Sequence, residues 1–540
     1  MLMLQIKSIS GHIIDILNKR IIKGVITVVD GKIENIVPTD DVPNQYILPG
    51  FIDAHIHIES SMLTPVAFAD IAIKHGTVAT ISDPHEIANV CGMEGVQFMI
   101  ENAKSAKHKI FFGAPSCVPA TTFESAGAVL DASDVDKLLA SDDIWYLSEM
   151  MNYPGVLHND MEVLAKIASA KRHHKPVDGH APGLMGEAAK SYIDHGISTD
   201  HECVTREEAL DKLKYGMKII IREGSAAKNF EALHPLIASH PELVMFCSDD
   251  KHPDDLIHGH INILVKRSLE LGYDLFDVLR IACINPILHY HVPVGMLNIG
   301  DKADFIVVDN LTDFNVLHTI INGVDVLSSS AQDVFKTEII NQFNITDIHL
   351  SDLKGTNNNS GLTPVIVAID GSLVTEKMMV DLPKSNGNTL PDVENDILKI
   401  CVVNRYTPSK PAIGFIKGFG LKNCAIASTV AHDSHNIIAV GDDDVRIFEA
   451  IHLLIASKGG LSAVSSDERH HLPLPIAGLM SDKSCKEVGE AYSHISQFAK
   501  NHGSTLHAPF MTLSFMALLV IPKIKISDKG MFDAEAFCFY

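Results

Sequence analysis

The sequence predicts an α/β protein built on a (β/α)8 TIM-like barrel, with a split small β-sandwich domain and an additional C-terminal α+β domain. Three observations predict it. At 540 residues the chain is too long for a single core and implies two to four domains. Between about residues 47 and 292, eight apolar runs alternate with helix-like stretches over roughly 250 residues, the size of such a barrel. β-rich pieces flank that middle on both sides, as if one small sheet were divided by an insertion.

Before the barrel, Gly24 to Val29 and Lys32 to Val37 flank Asp30-Gly31, a strong hairpin signal. After it, Phe305 to Asp309 and Ile320 to Val324, with Asn322-Gly323 as a turn, supply the matching strands. Residues 1–46 and 293–334 are therefore expected to share one β domain. The barrel, 47–292, opens on LPGFIDAHIHIES and continues through Thr77 to Ser82, Ile110 to Ala114, Ile144 to Ser148, Pro176 to Gly179, Ile197 to Asp200, Met217 to Ile221 and Leu243 to Ser248. Asn159 to Lys171 reads as an intervening helix and Asp254 to Leu271 as the helix after the last strand. An open doubly wound sheet is the alternative, but no Gly-x-Gly-x-x-Gly follows any of these strands. Residues 335–540 form the third domain. A polar tract, Ser351 to Gly361, reads as a surface loop. Strands are expected at Pro364 to Asp370, Ile397 to Val403 and Ala425 to Ser428, and a helix at Val445 to Ser457.

Composition narrows the function. Acidic residues number 67 against 44 basic, a formal charge of −23. So negative a surface repels phosphate backbones and argues against a nucleic-acid partner. The nine cysteines are scattered and never spaced Cys-x-x-Cys, which argues against a disulfide framework or a thiolate zinc site and fits a reducing cytoplasm. The first twenty residues lack a signal-peptide core. The longest late apolar run, Phe515 to Ile521, is far short of the ~20 residues of a membrane span. A cytoplasmic protein without membrane contact is expected, and a homo-oligomer is the expected assembly.

The chemistry is expected at the C-terminal ends of the barrel strands. On strand one, His55 and His57 share a face because side chains two apart point the same way. Later strand ends carry Asp83 and His85, then Glu149, His180, His201, and finally Asp249 and Asp250. Four histidines (55, 57, 180, 201) with two carboxylates (149, 249) make a nitrogen and oxygen donor set suited to Zn, Mn or Fe(II). Two metals bridged by a carboxylate would use all six.

These residues carry a family resemblance. DAHIHIES, a histidine on strands five and six and an aspartate on strand eight resemble the metal-dependent amidohydrolase superfamily. More closely, LPGFIDAHIHIESSM, ATISDPHEIANV, SEMMNYPGV, VDGHAPG, STDHE, CSDDKHPDDL and the C-terminal GFGLKNCAIASTVAHDSHNIIAVG resemble the adenine deaminase family, over nearly the whole chain. The resemblance implies a binuclear centre ligated by His55, His57, Glu149, His180, His201 and Asp249. Glu149 would be the bridge, since strand four has no lysine to carbamylate. Manganese is the first expectation for the metal, with Fe(II) or Zn as alternatives. The implied reaction, a purine-salvage step, is attack of hydroxide on C6 of free adenine, giving hypoxanthine and ammonia. Asp249 is the expected proton shuttle, with Asp250 as the alternative. His85 and Glu59 are expected to touch the purine or polarise the water, and Arg222 and Glu223 are weaker candidates. His432 and His435 form a further cluster that either closes over the barrel mouth, binds another metal or simply packs. Two competing readings are another binuclear amidohydrolase, acting on a cyclic amide or other amino-heterocycle, and an inactive barrel serving as a binding module.

Overall fold

The computed structural model describes residues 4–328, 338–354, 361–385 and 387–540. Its centre holds the eight expected strands: β1 (Phe51–Ile56), β2 (Thr77–Ser82), β3 (Lys109–Ala114), β4 (Ile144–Met150), β5 (Val177–Gly179), β6 (Thr199–Asp200), β7 (Lys218–Arg222) and β8 (Val244–Cys247). β1 to β5 form one parallel arc and β6 to β8 another. Single parallel bridges, Val177 with Ile197 and Ile56 with Asp249, join the arcs at both seams and close the barrel. Both faces of β1, β2 and β8 are buried throughout. That explains why these strands read as nearly continuous apolar runs and not as alternating ones.

The long helix expected after the last strand is two helices, Pro253–His258 and Ile261–Glu270. Gly259 between them is fully extended (φ 167°, ψ 170°) and breaks the hydrogen-bond ladder. Gly50 marks the entry to the barrel, where a Cβ would lie 2.2 Å from a Val78 methyl carbon. Only glycine lets the chain pass from the small sheet into β1 so close to β2.

That small sheet has eight strands drawn from both flanks of the barrel. Tyr46–Pro49 lies inside it, antiparallel to Phe305–Val308 and parallel to Ser8–Asp15. The expected hairpin joins Arg20–Val29 to Lys32–Pro38, with Asp30 and Gly31 both at positive φ (48° and 73°) as the tight turn requires. The C-terminal unit is a second eight-stranded sheet. Ile397–Val403 runs through it between Ala412–Lys417 and Ile437–Gly441. The helix Asp444–Ser457 packs on one face and is capped by Asp443, whose carboxylate accepts the Val445 and Arg446 amides. The expected boundary between residues 334 and 335 lies outside the described residues, as do residues 355–360 of the polar tract. The tract's first residues belong to a short turn, Leu350–Leu353, whose Leu353 is buried.

One apolar core runs from the barrel's outer layer into the C-terminal unit, taking in Ile58, Leu63 and Ile87 on one side and Phe510, Met516 and Leu518 on the other. At its edge the Ser481 amide donates to the Met62 carbonyl (2.8 Å), and the Ser125 amide to Asp528 (2.9 Å). The last unit is therefore seated on the mouth of the barrel. No helix among the described residues is long and apolar enough to cross a membrane.

Polar groups also brace the barrel below the mouth. Lys212, 1% exposed, donates to Asp200, to Glu208 (2.8 Å) and to the Ala181 carbonyl (2.7 Å). Lys212→Met would leave two buried carboxylates without a cation. The expected cost is about 3–5 kcal/mol, seen as an earlier unfolding midpoint in urea. An unchanged midpoint would remove the pair from the account of stability.

Candidate metal centre

Each candidate ligand reaches the mouth through local backbone geometry. On β1, Asp53, His55 and His57 alternate onto one face. Asp53 lies deepest, where it accepts from the Ser248 amide (3.0 Å) and pairs with His260 (2.8 Å), tying β1 to β8. Above it, His57 Nδ1 donates to the Asp83 carbonyl (3.2 Å), so its Nε2 lone pair faces inward. His55 Nε2 lies 3.2 Å from that atom. His180 leaves β5 with its amide donating to the Tyr192 hydroxyl (3.1 Å). His201 follows β6, its carbonyl accepting from Asn229 (3.0 Å). At the end of β8 the Asp249 amide donates to the His55 carbonyl (2.9 Å) at φ 51°, an uncommon conformation for a residue other than glycine.

Glu149, at the end of β4, stands between the two histidine pairs. Its Oε1 is 3.2 Å from His57 Nε2 and 4.0 Å from His55 Nε2. Its Oε2 is 2.7 Å from His180 Nδ1 and 3.2 Å from His201 Nε2. Asp249 Oδ1 closes the first side, 3.6 Å from His55 and 3.4 Å from His57. All six side chains are at least nine-tenths buried. Burial alone would push both carboxyls up, but His180 and His201 hold Glu149 well below the usual range, and Arg222 does the same for Asp249. Burial disfavours protonated His201, yet Glu149 raises it to about 9. Imidazoles set against buried carboxylates form a site whose charge balance a cation can supply. The donor set, four imidazoles and two carboxylates, fits divalent metal chemistry. Overlapping triads from it, among them His55, His57 and Asp249, and His55, Glu149 and His201, each bring three donor atoms within 4.8 Å of one another.

The remaining expected residues divide. His85 is in the cleft: its Nδ1 meets Asp83 (3.0 Å) and lies 3.5 Å from Glu149, while its Nε2 lies 3.5 Å from Glu86. Asp250 also lines the cleft and accepts from Ser60 Oγ (2.5 Å). Glu59 does not line it. Its Oε1 accepts the Ile87 amide (3.2 Å) under the start of the His85–Ala103 helix, and burial pushes its carboxyl up to about 7. The expectation that Glu59 touches the substrate therefore gives way to a role beneath that helix. Arg222 donates to Asp249 Oδ2 (2.6 Å) and grips Glu202 with both terminal nitrogens, while Glu223 pairs outward with Arg267 (3.1 Å).

Sequence reasoning missed Glu202, 3.5 Å from His201 and 3.6 Å from His180, and Glu86. Each directly follows a histidine that was singled out. The C-terminal unit roofs the cleft with His432 and Asp433, so the histidine cluster does close over the barrel mouth; Leu373, Phe515 and Leu518, which complete that roof, are what sequence reasoning missed.

A closed parallel barrel with histidines and carboxylates gathered at its C-terminal mouth defines a metal-dependent hydrolase of the amidohydrolase type. The Amidohydrolase family matches residues 46–326, and the Adenine deaminase C-terminal domain matches residues 372–538. An adenine deaminase of Borreliella afzelii is 51% identical over 98% of both chains, and one of Sulfurovum is 52% identical over 98% of both. One of Methanosarcina mazei is 50% identical over 99% of both. The chain belongs to the adenine deaminase family.

Proposed function

We propose that this protein hydrolyses free adenine to hypoxanthine and ammonia at a binuclear divalent metal centre. His55, His57, Glu149, His180, His201 and Asp249 are its ligands, and manganese is the first choice over Fe(II) or Zn. The observation that carries the reading is Glu149, which turns one carboxylate oxygen to each histidine pair, the arrangement a bridging ligand needs. The family's reliance on metal and the full-length likeness to adenine deaminases support it.

Ions bound there would supply a hydroxide nucleophile at neutral pH. The protein's part is proton traffic and orientation. Deamination needs a proton delivered to ring N1 as C6 becomes tetrahedral, and another delivered to the departing amine. Asp249 is suited to carry them through Oδ1, because Arg222 occupies Oδ2. Asp250, in the same cleft, is the alternative carrier. His85, held by Asp83, keeps its second nitrogen toward Glu86 and the cleft. Arg222 fixes Asp249 and Glu202 together, so the two acids cannot swing apart.

The test is ammonia release by the Mn-loaded protein from adenine, cytosine, guanine and a dihydropyrimidine. Release from adenine alone is expected, and none from adenine would overturn the reading. Elemental analysis after growth with Mn is expected to give about two ions per chain. Fewer than about one would favour a binding module.

A further inference from the structure

The C-terminal unit places one imidazole in the cleft whose outer nitrogen has no protein partner. His432 is 2% exposed, and its ring stacks on Phe515 (centroids 4.5 Å apart, planes at 13°). Its Nδ1 lies 2.5 Å from Glu86 Oε1. The other oxygen of Glu86 is taken by His435 Nε2. His435 Nδ1 accepts the Ala431 amide (3.2 Å), so the His435 proton resides on Nε2 and is donated to Glu86. Glu86 is thus the acceptor for both histidines. His432 Nε2 is left toward the cleft with no hydrogen bond among the described residues. The geometry points to His432 Nε2 as the hydrogen-bonding group that the C-terminal unit presents to a ring nitrogen of the purine, with Glu86 as its anchor.

Further observations fit. Burial works against a charged His432, yet Glu86 and Asp250 raise it to about 9. The apolar walls, Met151, Leu373 and Leu518, would meet the ring faces.

This inference rests on the adenine reading, and the experiment separates the two. It measures kcat/KM for the Mn-loaded full-length protein, His432→Phe and His432→Gln on adenine and on 1-, 3- and 7-deazaadenine. For analogues that do not turn over, the competitive inhibition constant replaces it. His432→Phe keeps the ring stacked on Phe515 and is expected to lower kcat/KM on adenine about 10-fold, the worth of a hydrogen bond. Metal content should be unchanged. His432→Gln should recover part of the loss, because its amide reaches the position of Nε2. On the analogue that lacks the contacted nitrogen, wild type and His432→Phe should be equal. An equal loss on adenine and on all three analogues would overturn the contact and leave His432 a packing residue. Should His432→Phe not fold, the wild type still decides: binding of all three analogues as tight as that of adenine would also overturn it. No ammonia from adenine in the wild type would overturn the parent reading and this one with it.

Discussion

Glu149→Gln is expected to leave the protein folded but to strip it of one metal ion and of activity. The substitution preserves volume and one carbonyl oxygen, so any loss is chemical and not steric. Glutamine can offer that oxygen to one histidine pair only, and its amide then turns two N–H donors toward the other. In the native chain Oε1 faces His57 while Oε2 faces His180 and His201, and the carboxylate charge serves both sides. Without it, Glu202 is the one carboxylate within 4 Å of His180 and His201 among the described residues, and Arg222 already grips Glu202 with two nitrogens. Even partners one step removed from a metal typically shift affinity ~10–100-fold, so loss of a shared ligand should exceed that. Metal content should fall from about two ions to about one, with kcat reduced at least ~1,000-fold. A variant that retains both ions would end the bridging role.

The gathering of these six side chains was legible in the sequence because a parallel barrel converts order along the chain into position around a ring. Every strand delivers its last side chains to the same mouth. His55 and His57 needed only the two-residue alternation of β1, and Glu149, His180, His201 and Asp249 needed only correct strand ends. These ends are placed to within two residues despite unequal strand lengths. Two kinds of residue were not legible this way. Glu59 continues the β1 alternation on paper, but the strand ends at Ile56 and the chain turns into the short helix Ile58–Ser61, which carries Glu59 beneath the next helix. A period of two says nothing once the strand has ended. The roof is hidden for another reason. His432 and Glu86 meet although they are 346 residues apart, and Phe515 and Leu518 lie in an apolar run that reads as ordinary core. Contacts between domains leave no local pattern. Only the cluster of histidines after a predicted strand hinted that the last unit had something to present.

The same geometry makes Asp249→Asn the sharpest test of proton transfer. An amide cannot accept and return a proton, so kcat for adenine should fall ~1,000–10,000-fold. It also cannot keep its oxygen where the aspartate has it. Arg222 presents N–H donors to the Oδ2 position at 2.6 Å, so an asparagine will turn its oxygen to the guanidinium and its NH2 toward His55 and His57. The side toward the histidines would then present a donor in place of an acceptor, and one ion is expected to be held less tightly. Asp250→Asn is the matched control. Its Oδ1 accepts from Ser60 Oγ, a bond an amide oxygen can keep, so the cleft should hold its shape. If Asp249 carries the protons, Asp250→Asn should cost far less than Asp249→Asn. If Asp249→Asn retains turnover while Asp250→Asn loses it, the carrier is Asp250, and Asp249 is reduced to a ligand that Arg222 holds in place. The arginine makes the distinction measurable, because it leaves Asp249 a single oxygen, Oδ1, for any proton it carries.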